Sequence, residues 1–152
     1  MASHGDGTTP PNWRNPAPGR IMGRGHHAGD FLQAYDWQVL EQRPGYLKLD
    51  AHLPEHLKNP RGQLFGGYTP TYVDLVALRT AASARAPGEA ASWLTTLSMS
   101  VDYLEPIVDP RFVLEGEVIH RRKGIHLVEV RFRNHESSML AFAVVTLRDV
   151  AR

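Results

Sequence analysis

One carboxylate stands out in this chain because the residues around it are almost entirely apolar. Asp74 lies one turn inside residues 70–85, a segment whose apolar side chains occupy nearly every side of a helix. Such a helix is typically buried, and a buried carboxylate is costly unless it is paired, neutral or functional. Arg79, five residues further on, lies outside the usual neighbour range on a helix. The pattern alone leaves both a structural and a functional role open for Asp74.

A diglycine directly precedes this helix. Gly66-Gly67 allows the backbone to approach a ligand closely, and it leads into a helix N-terminus whose free N–H groups point outward. Such amides can stabilise an oxyanion, and an acid on the first turns beside them fits acyl hydrolysis. The Thr69-Pro70 pair predicts that the helix begins here, with the threonine hydroxyl as its cap.

The elements that must position these groups can be predicted from hydrophobic periodicity and turn residues. Asp30 is expected to cap a short helix, and Arg122-Lys123-Gly124 is expected to close a hairpin. Short turns imply antiparallel neighbours, so we expect an α+β domain in which one antiparallel sheet encloses the helix. The predicted elements are a hairpin over 37–53, a loop over 54–67, the helix over 70–85, and strands near 96–103, 112–119, 128–133 and 139–147.

Composition narrows the class of protein. The 152 residues suit a single domain, and 17 basic against 16 acidic residues give no field that would attract nucleic acid. The absence of cysteine excludes disulfides, thiolate metal sites and a cysteine nucleophile. No apolar window is long enough to span a membrane, and the first thirty residues lack the apolar core of a secretory signal. We therefore expect a cytoplasmic protein.

The N-terminal segment differs from the remainder because it is rich in glycine and proline and poor in apolar residues. We expect residues 1–29 to form a mobile arm, pinned to a neighbour by Trp13 or by Ile21-Met22, and residues 30–152 to form the folded domain. His26-His27 would then be a solvent-exposed pair.

A metal site is not expected. Residues 52–56 match an H-x-x-E-H zinc pattern, but Pro54 disfavours the helix that this pattern requires. We assign His52 and His56 to a surface loop, and we expect no metal and no cofactor.

Taken together, these features resemble the PaaI-like branch of the hotdog-fold acyl-CoA thioesterases over about residues 45–148. That family carries an asparagine, a G-x-x-H-G-G loop, a helix with an acidic residue, and a threonine or serine strand that leads into Tyr-Leu-x-Pro. The corresponding segments here are Asn59 to Gly67, Tyr72-Val73-Asp74, Leu94 to Leu97, and Tyr103-Leu104-Glu105-Pro106. The resemblance implies a long central helix wrapped by a curved antiparallel sheet.

The resemblance also implies an activity, the hydrolysis of an acyl-CoA thioester to the free acid and CoA. Asp74 matches the general base or nucleophile, and Gly67 matches the backbone donor to the thioester carbonyl. Asn59 matches an asparagine near the reacting centre, and Thr96 matches a hydroxyl that positions water. Family sites lie at a dimer interface, so a homodimer or a dimer of dimers is implied, with each site completed by the Asn59 loop of the partner.

Further residues are expected to contact the acyl-CoA substrate. Arg122 and Lys123 in the hairpin turn are candidates for the CoA phosphates, although a solvated hairpin end is the simpler interpretation. The candidates for the wall around the acyl or aryl group and for the loop beside it are Phe65, Gly66, Tyr68, Tyr72 and Leu97.

The chain departs from the family at one position, since Phe65 stands where the loop histidine is expected. Phenylalanine neither donates a hydrogen bond nor carries a proton. The alternative function is therefore a non-catalytic binder of acyl-CoA or acyl-carrier thioesters. A hotdog dehydratase is disfavoured, because such enzymes usually place a histidine beside the acid and no helix or loop histidine here occupies that place.

Overall fold

A six-stranded antiparallel sheet and a fifteen-residue helix form the framework of the molecule. The computed structural model describes residues 12–90 and 92–151. Across the sheet the strand order is β1-β2-β4-β5-β6-β3. The elements are α1 (His27–Leu32), β1 (Gln38–Arg43), β2 (Tyr46–His52), α2 (Thr69–Ser83), β3 (Trp93–Tyr103), β4 (Arg111–Arg122), β5 (Ile125–Arg133) and β6 (Met139–Val150). The α+β prediction of a long helix wrapped by an antiparallel sheet is confirmed.

Helix α2 packs on the sheet through contacts with β4, β5 and β6. Its inward side chains, such as Tyr72 and Val76, are fully buried. The Tyr72 ring stacks on Trp37 with ring centroids 5.5 Å apart, and its hydroxyl donates to the His52 carbonyl at 2.8 Å. The buried hydroxyl thus has its partner, and the aromatic stack fixes the first turns of α2 against the chain that precedes β1.

The closest approach of helix and sheet lies at Gly116 of β4. A Cβ atom at this position would lie 2.1 Å from Thr80 Oγ1 and 2.9 Å from Val76 Cγ1. The Thr80 hydroxyl donates to the Val76 carbonyl at 2.7 Å, which holds the Thr80 side chain in place. The missing side chain at position 116 therefore sets how closely α2 lies on the sheet.

The start of α2 differs from the prediction. Thr69 is not the cap but the first helical residue, and it is buried. A 3-10 turn over Gly66–Tyr68 leads into the helix, and Tyr68 occupies the cap position without a side-chain hydrogen bond. The diglycine is thus already part of a helical turn, because the turn continues directly into α2.

The boundary of the domain lies earlier than the composition suggests. Ile21 and Met22 are buried in the core of their own chain rather than against a neighbour, and the Val39 N–H donates to the Gly19 carbonyl at 2.9 Å. Helix α1 begins at His27 rather than Asp30. Two adjacent apolar residues are enough to dock this segment despite its glycine content. Residues 1–11 of the expected arm lie outside the described residues.

The hairpin predictions are confirmed. Strands β1 and β2 pair, and β4 pairs with β5 through a two-residue turn at Lys123 and Gly124, both of which have positive φ. Among the described helices, none is long and apolar enough to cross a membrane.

A partly buried network joins the residues that follow α2 to the residue that precedes β3. The Asp149 carboxylate on β6 accepts from Ser92 Oγ at 2.6 Å and from Arg85 at 3.2 Å, and it pairs with His126 Nε2 at 2.8 Å. Burial alone would raise the pKa of Asp149, but the hydrogen bonds from Ser92, His126 and Arg85 outweigh it and lower that pKa to about 2. One carboxylate thus fixes the two elements that carry Asp74 and Thr96.

Replacing Gly116 with alanine is expected to lower the free energy of unfolding by about 1–3 kcal/mol, because the new Cβ overlaps Thr80 Oγ1. Chemical denaturation measures this loss. In a Thr80→Ala background the same substitution should cost less, since the overlapping oxygen is gone. Additive effects of the two substitutions would show that the contact does not set the spacing.

The Asp149 network predicts that the free energy of unfolding depends on pH in the acidic range. Since the folded pKa of about 2 lies below the ordinary value of 3.8, the stabilisation is complete above pH 4 and is lost as the pH falls through 2. The stability difference between wild type and Asp149→Asn should therefore shrink by about 2 kcal/mol between pH 5 and pH 2. Urea denaturation across this range measures it, and a constant difference would contradict the assignment.

Candidate active site

Asp74 lies on the partly exposed face of α2. The helix is less completely buried than its apolar pattern suggests, and Asp74 is half-buried. Half-buried residues form one stripe along the helix, namely Thr71, Asp74, Leu78 and Arg79. The Asp74 carboxylate is therefore open to solvent or to a ligand on one side.

Thr96 on β3 is the partner of this carboxylate. Its hydroxyl donates to Asp74 Oδ1, and the two oxygens are 2.5 Å apart. A β-bulge at Leu97 immediately follows, because Thr96 pairs with Leu147 whereas Ser98 pairs with Thr146. Bulges often re-aim a side chain beside a functional site. The structure thus brings together two residues that lie 22 positions apart in the sequence.

The Asp74–Thr96 pair lines a cleft of about 410 Å³, which we call the acid cleft. Its walls include Pro70 and Thr71 from the first turn of α2, Leu75 and Leu78 from the helix, and Met99 from β3. A carboxylate in a mainly apolar recess suits a group that handles a proton beside a bound organic ligand.

His26 also lines the acid cleft, which the sequence analysis missed by assigning it to an exposed arm. Its Nδ1 accepts from the Gly29 N–H at 3.0 Å, so in the neutral ring the proton is on Nε2. Burial, followed by the nearby Arg79 charge, lowers the pKa of His26 below its usual value. The Ile21-Met22 pair was the signal that could have placed this segment on the domain.

The loop before α2 is held by its own polar groups. Asn59 Oδ1 accepts from the N–H groups of Arg61 and Gln63, both at 3.0 Å, and its amide donates to the Gln63 side chain at 3.3 Å. The Tyr103 hydroxyl donates to the Gly66 carbonyl at 2.6 Å. The sequence marks Tyr103 only as part of the Tyr-Leu-x-Pro segment, and the structure shows that it anchors the diglycine turn.

Asn59 and Gly66 line a second recess, which we call the loop cleft. It has a volume of about 350 Å³ and includes Thr69 and Tyr103, whereas the acid cleft includes Pro70 and Thr71. The two clefts flank the first turn of α2. Within one chain, therefore, Asn59 and Asp74 do not line the same recess.

Phe65 and Tyr68 surround the exposed Gly67. A Cβ atom at position 67 would lie 2.7 Å from Phe65 Cε1, so the half-exposed ring rests directly on this glycine. Tyr68 packs edge-on against Phe65, with ring centroids 5.2 Å apart. The Gly67 N–H lies in the 3-10 turn that leads into α2, at the end of the helix where amides have no partner within the helix.

Four expected substrate contacts lie elsewhere than the sequence suggests. Tyr72 is a core residue, fully buried and stacked on Trp37, so it lines neither cleft. Packing in the core, and not contact with a substrate, accounts for an aromatic residue at this position of the helix. Arg122 and Lys123 are exposed in the β4–β5 turn and line neither cleft. Leu97 stays exposed at the bulge of β3.

The histidines of the H-x-x-E-H segment do not converge. His52 ends β2, whereas His56 lies in the 3-10 turn Glu55–Leu57 and its Nε2 contacts the Phe31 carbonyl at 2.7 Å. Within residues 12–90 and 92–151, no group of three metal-ligating side chains comes together.

Solved structures share this architecture. An acetyl-CoA-bound protein of Streptococcus mutans UA159 aligns over 77% of this chain and 90% of its own, with TM-score 0.67 and 19% identity. A hypothetical thioesterase of Streptococcus pneumoniae TIGR4 with coenzyme A aligns over 77% and 88%, with TM-score 0.67 and 20% identity. A thioesterase of Haemophilus influenzae aligns over 82% of both chains, with TM-score 0.70 and 14% identity.

Sequence comparison gives the family. No curated relative matches this sequence. The sequence model of the thioesterase superfamily matches residues 61–141, which span the diglycine turn, α2, β3 and the following strands. Because this match covers more than half of the sequence, the chain belongs to the thioesterase superfamily.

Proposed function

We propose that the protein hydrolyses an acyl-CoA thioester at the acid cleft. The observation that carries the proposal is the hydrogen bond from Thr96 to Asp74 inside a mainly apolar recess. Membership of the thioesterase superfamily supports the reaction class. The bound acetyl-CoA and coenzyme A named for two structural neighbours support CoA as the carrier.

Asp74 begins the reaction in this proposal. As a general base it takes a proton from water while the water oxygen attacks the thioester carbonyl carbon. As a nucleophile it attacks that carbon itself and forms an anhydride, which water then opens. In both routes the C–S bond breaks, the CoA sulfur leaves as a thiolate that takes up a proton, and the products are the acid and CoA. Thr96 holds one carboxylate oxygen, which leaves the other for the reaction.

The diglycine turn supplies the oxyanion donor. The exposed Gly67 N–H lies at the positive end of α2, where it can donate to the carbonyl oxygen as negative charge develops. The hydrogen bond from Tyr103 to the Gly66 carbonyl holds this turn in position. Fixed donors of this kind stabilise the transition state without reorganisation.

A second copy of the chain completes the site. Asp74 and Asn59 line different clefts of one chain, and in this proposal the acid cleft of one chain and the loop cleft of a second act on one thioester. The edge strand β3 offers the surface. It runs for eleven residues with one charged side chain, Asp102, and exposes Trp93, Leu97 and Tyr103. The opposite edge, β1, is only six residues long and carries Glu41 and Arg43. A long, nearly uncharged edge is a template for pairing.

Phe65 favours a second candidate function, the binding of acyl-CoA or acyl-carrier thioesters without turnover. Its ring rests on Gly67, beside the amide that would serve the carbonyl oxygen, and offers no proton or hydrogen bond. His26 places a histidine in the same cleft as Asp74, so a dehydratase must also be tested. Dehydration leaves the thioester intact, whereas hydrolysis releases a thiol.

Asp74→Asn is expected to lower kcat/KM for acyl-CoA hydrolysis by about 10²–10⁴-fold, because the amide can neither accept the proton nor attack. Thr96→Val should lower kcat/KM about tenfold, because the Asp74 carboxylate loses the hydrogen bond that positions it. Thiol release across an acyl-CoA panel measures both. The matched control is Asp109→Asn, which changes an exposed turn acid and should leave the rate unchanged.

The outcomes separate the candidates. Equal rates for wild type and Asp74→Asn would remove Asp74 from the chemistry, and tight binding without thiol release would establish the binder. A single turnover in ¹⁸O-labelled water distinguishes the nucleophilic route from the general-base route. In the nucleophilic route, attack of water on the aspartyl carbonyl of the anhydride leaves ¹⁸O in Asp74. General-base catalysis labels only the released acid.

Leu97→Lys is expected to raise the dimer dissociation constant by roughly tenfold or more, because it places a charge in the β3–β3 interface. Leu40→Lys is the matched control. Leu40 is 51% exposed and Leu97 is 52% exposed, and each lies at the bulge of an edge strand. Sedimentation velocity measures both variants and separates a dimer from a dimer of dimers. Dissociation by both variants or by neither would contradict pairing through β3.

A further inference from the structure

A second groove opens from the acid cleft along α2. The two recesses share His26, Leu75 and Leu78 in their walls, so the second groove adjoins the acid cleft. The second groove has a volume of about 270 Å³, and Trp13, Arg79 and Trp93 line its far part. Its walls are mainly apolar, and therefore suit the methylene chain of an acyl group.

Arg79 is the unusual feature of this groove. Its guanidinium lies 5.3 Å from the centroid of the Trp13 ring, and it makes no hydrogen bond or ion pair with residues 12–90 or 92–151. Burial lowers its pKa. Arg85, which lines the same groove, instead donates to the Ser92 carbonyl at 2.8 Å and to Asp149 at 3.2 Å. A partly desolvated cation without a carboxylate is costly to the fold, so a ligand that neutralises it gains affinity.

We propose that Arg79 binds a carboxylate at the far end of the acyl group, so that the preferred substrates are thioesters of dicarboxylic acids. The inference rests on the proposed function, since it assigns the reacting carbonyl to the acid cleft. Five residues separate Asp74 and Arg79, which places their Cα atoms about 7–8 Å apart along the helix axis. Because the two positions also lie about 140° apart around the helix, the acyl chain must follow the adjoining recesses to present its thioester to Asp74 and its terminal carboxylate to Arg79.

The geometry of the cation favours a carboxylate. The planar guanidinium offers a fork of N–H donors that matches the two oxygens of a carboxylate, and the Arg79 guanidinium lies over the Trp13 ring rather than against a carboxylate of the described residues. A CoA phosphate is the other anion that Arg79 could meet. The acyl carboxylate and the CoA phosphate can be distinguished by replacing CoA with a short thiol, because only the acyl carboxylate then remains.

The test compares esters matched in carbon number. Succinyl-, adipyl- and suberyl-CoA are assayed against butyryl-, hexanoyl- and octanoyl-CoA, and each acyl group is also assayed as its N-acetylcysteamine thioester. For at least one chain length, wild type is expected to prefer the dicarboxylic ester by roughly tenfold or more in kcat/KM. Arg79→Met should remove this preference with both carriers, and Arg79→Lys should retain part of it.

Arg14→Met is the matched control. Arg14 also lies over the Trp13 ring, at 4.7 Å, but it is exposed and does not line the groove. This variant makes the same change of charge and removes a contact with the same ring, so the preference should persist. An equal loss of preference in both variants would show that net charge or the position of Trp13, and not a contact with Arg79, causes it.

The remaining outcomes are decisive. Absence of a preference at every chain length in wild type overturns the inference while leaving hydrolysis established. Arg79 is assigned to a CoA phosphate instead if Arg79→Met lowers kcat/KM equally for all CoA esters and leaves kcat/KM unchanged for the N-acetylcysteamine esters. If no ester is hydrolysed, the proposed function fails, and equilibrium binding of adipyl and hexanoyl thioether analogues of CoA then decides the inference. Equal binding of the two analogues overturns it.

Discussion

The packing of α2 on the sheet is the constraint on which the site depends. Gly116 has no side chain, and this allows Thr80 and Val76 to lie directly on β4. The inner face of α2 is consequently buried, and only one stripe of the helix remains accessible. Asp74 lies on that stripe, so its carboxylate faces β3 rather than the core. The Asp149 network joins the residues that follow α2 to the residue that precedes β3, and Thr96 on β3 lies 2.5 Å from Asp74.

The loop cleft and the acid cleft follow from the same helix. The 3-10 turn before it carries the Gly67 amide, and the clefts that contain Asn59 and Asp74 lie on either side of its first turn. A small domain built around one helix has little space for an enclosed cavity, so each recess is shallow when the chain is alone. The contrast between the two edge strands makes the association of two chains physically reasonable. β1 is short and charged, whereas β3 is long, nearly uncharged and lined with exposed apolar side chains.

The N-terminal segment changes the chemistry of the site. Burial of Ile21 and Met22 docks this segment on the domain, and the docked chain places His26 in the acid cleft and Trp13 beside Arg79. Where the family loop carries a histidine, this chain has Phe65, whose ring covers Gly67 instead. The polar groups around the acid therefore come from a different part of the chain than the resemblance implies.

The sequence by itself determined the element order, the antiparallel sheet, the β4–β5 turn and the unusual position of Asp74. These features depend on local periodicity, on turn residues and on the cost of placing a charge in an apolar segment, all of which are legible in a single chain. Only the tertiary structure decided that Tyr72 belongs to the core, that His26 lines the acid cleft, and that Asn59 and Asp74 line separate recesses. Periodicity records which face of an element is apolar. It does not record which neighbour covers that face, because this depends on packing between residues that are distant in the chain.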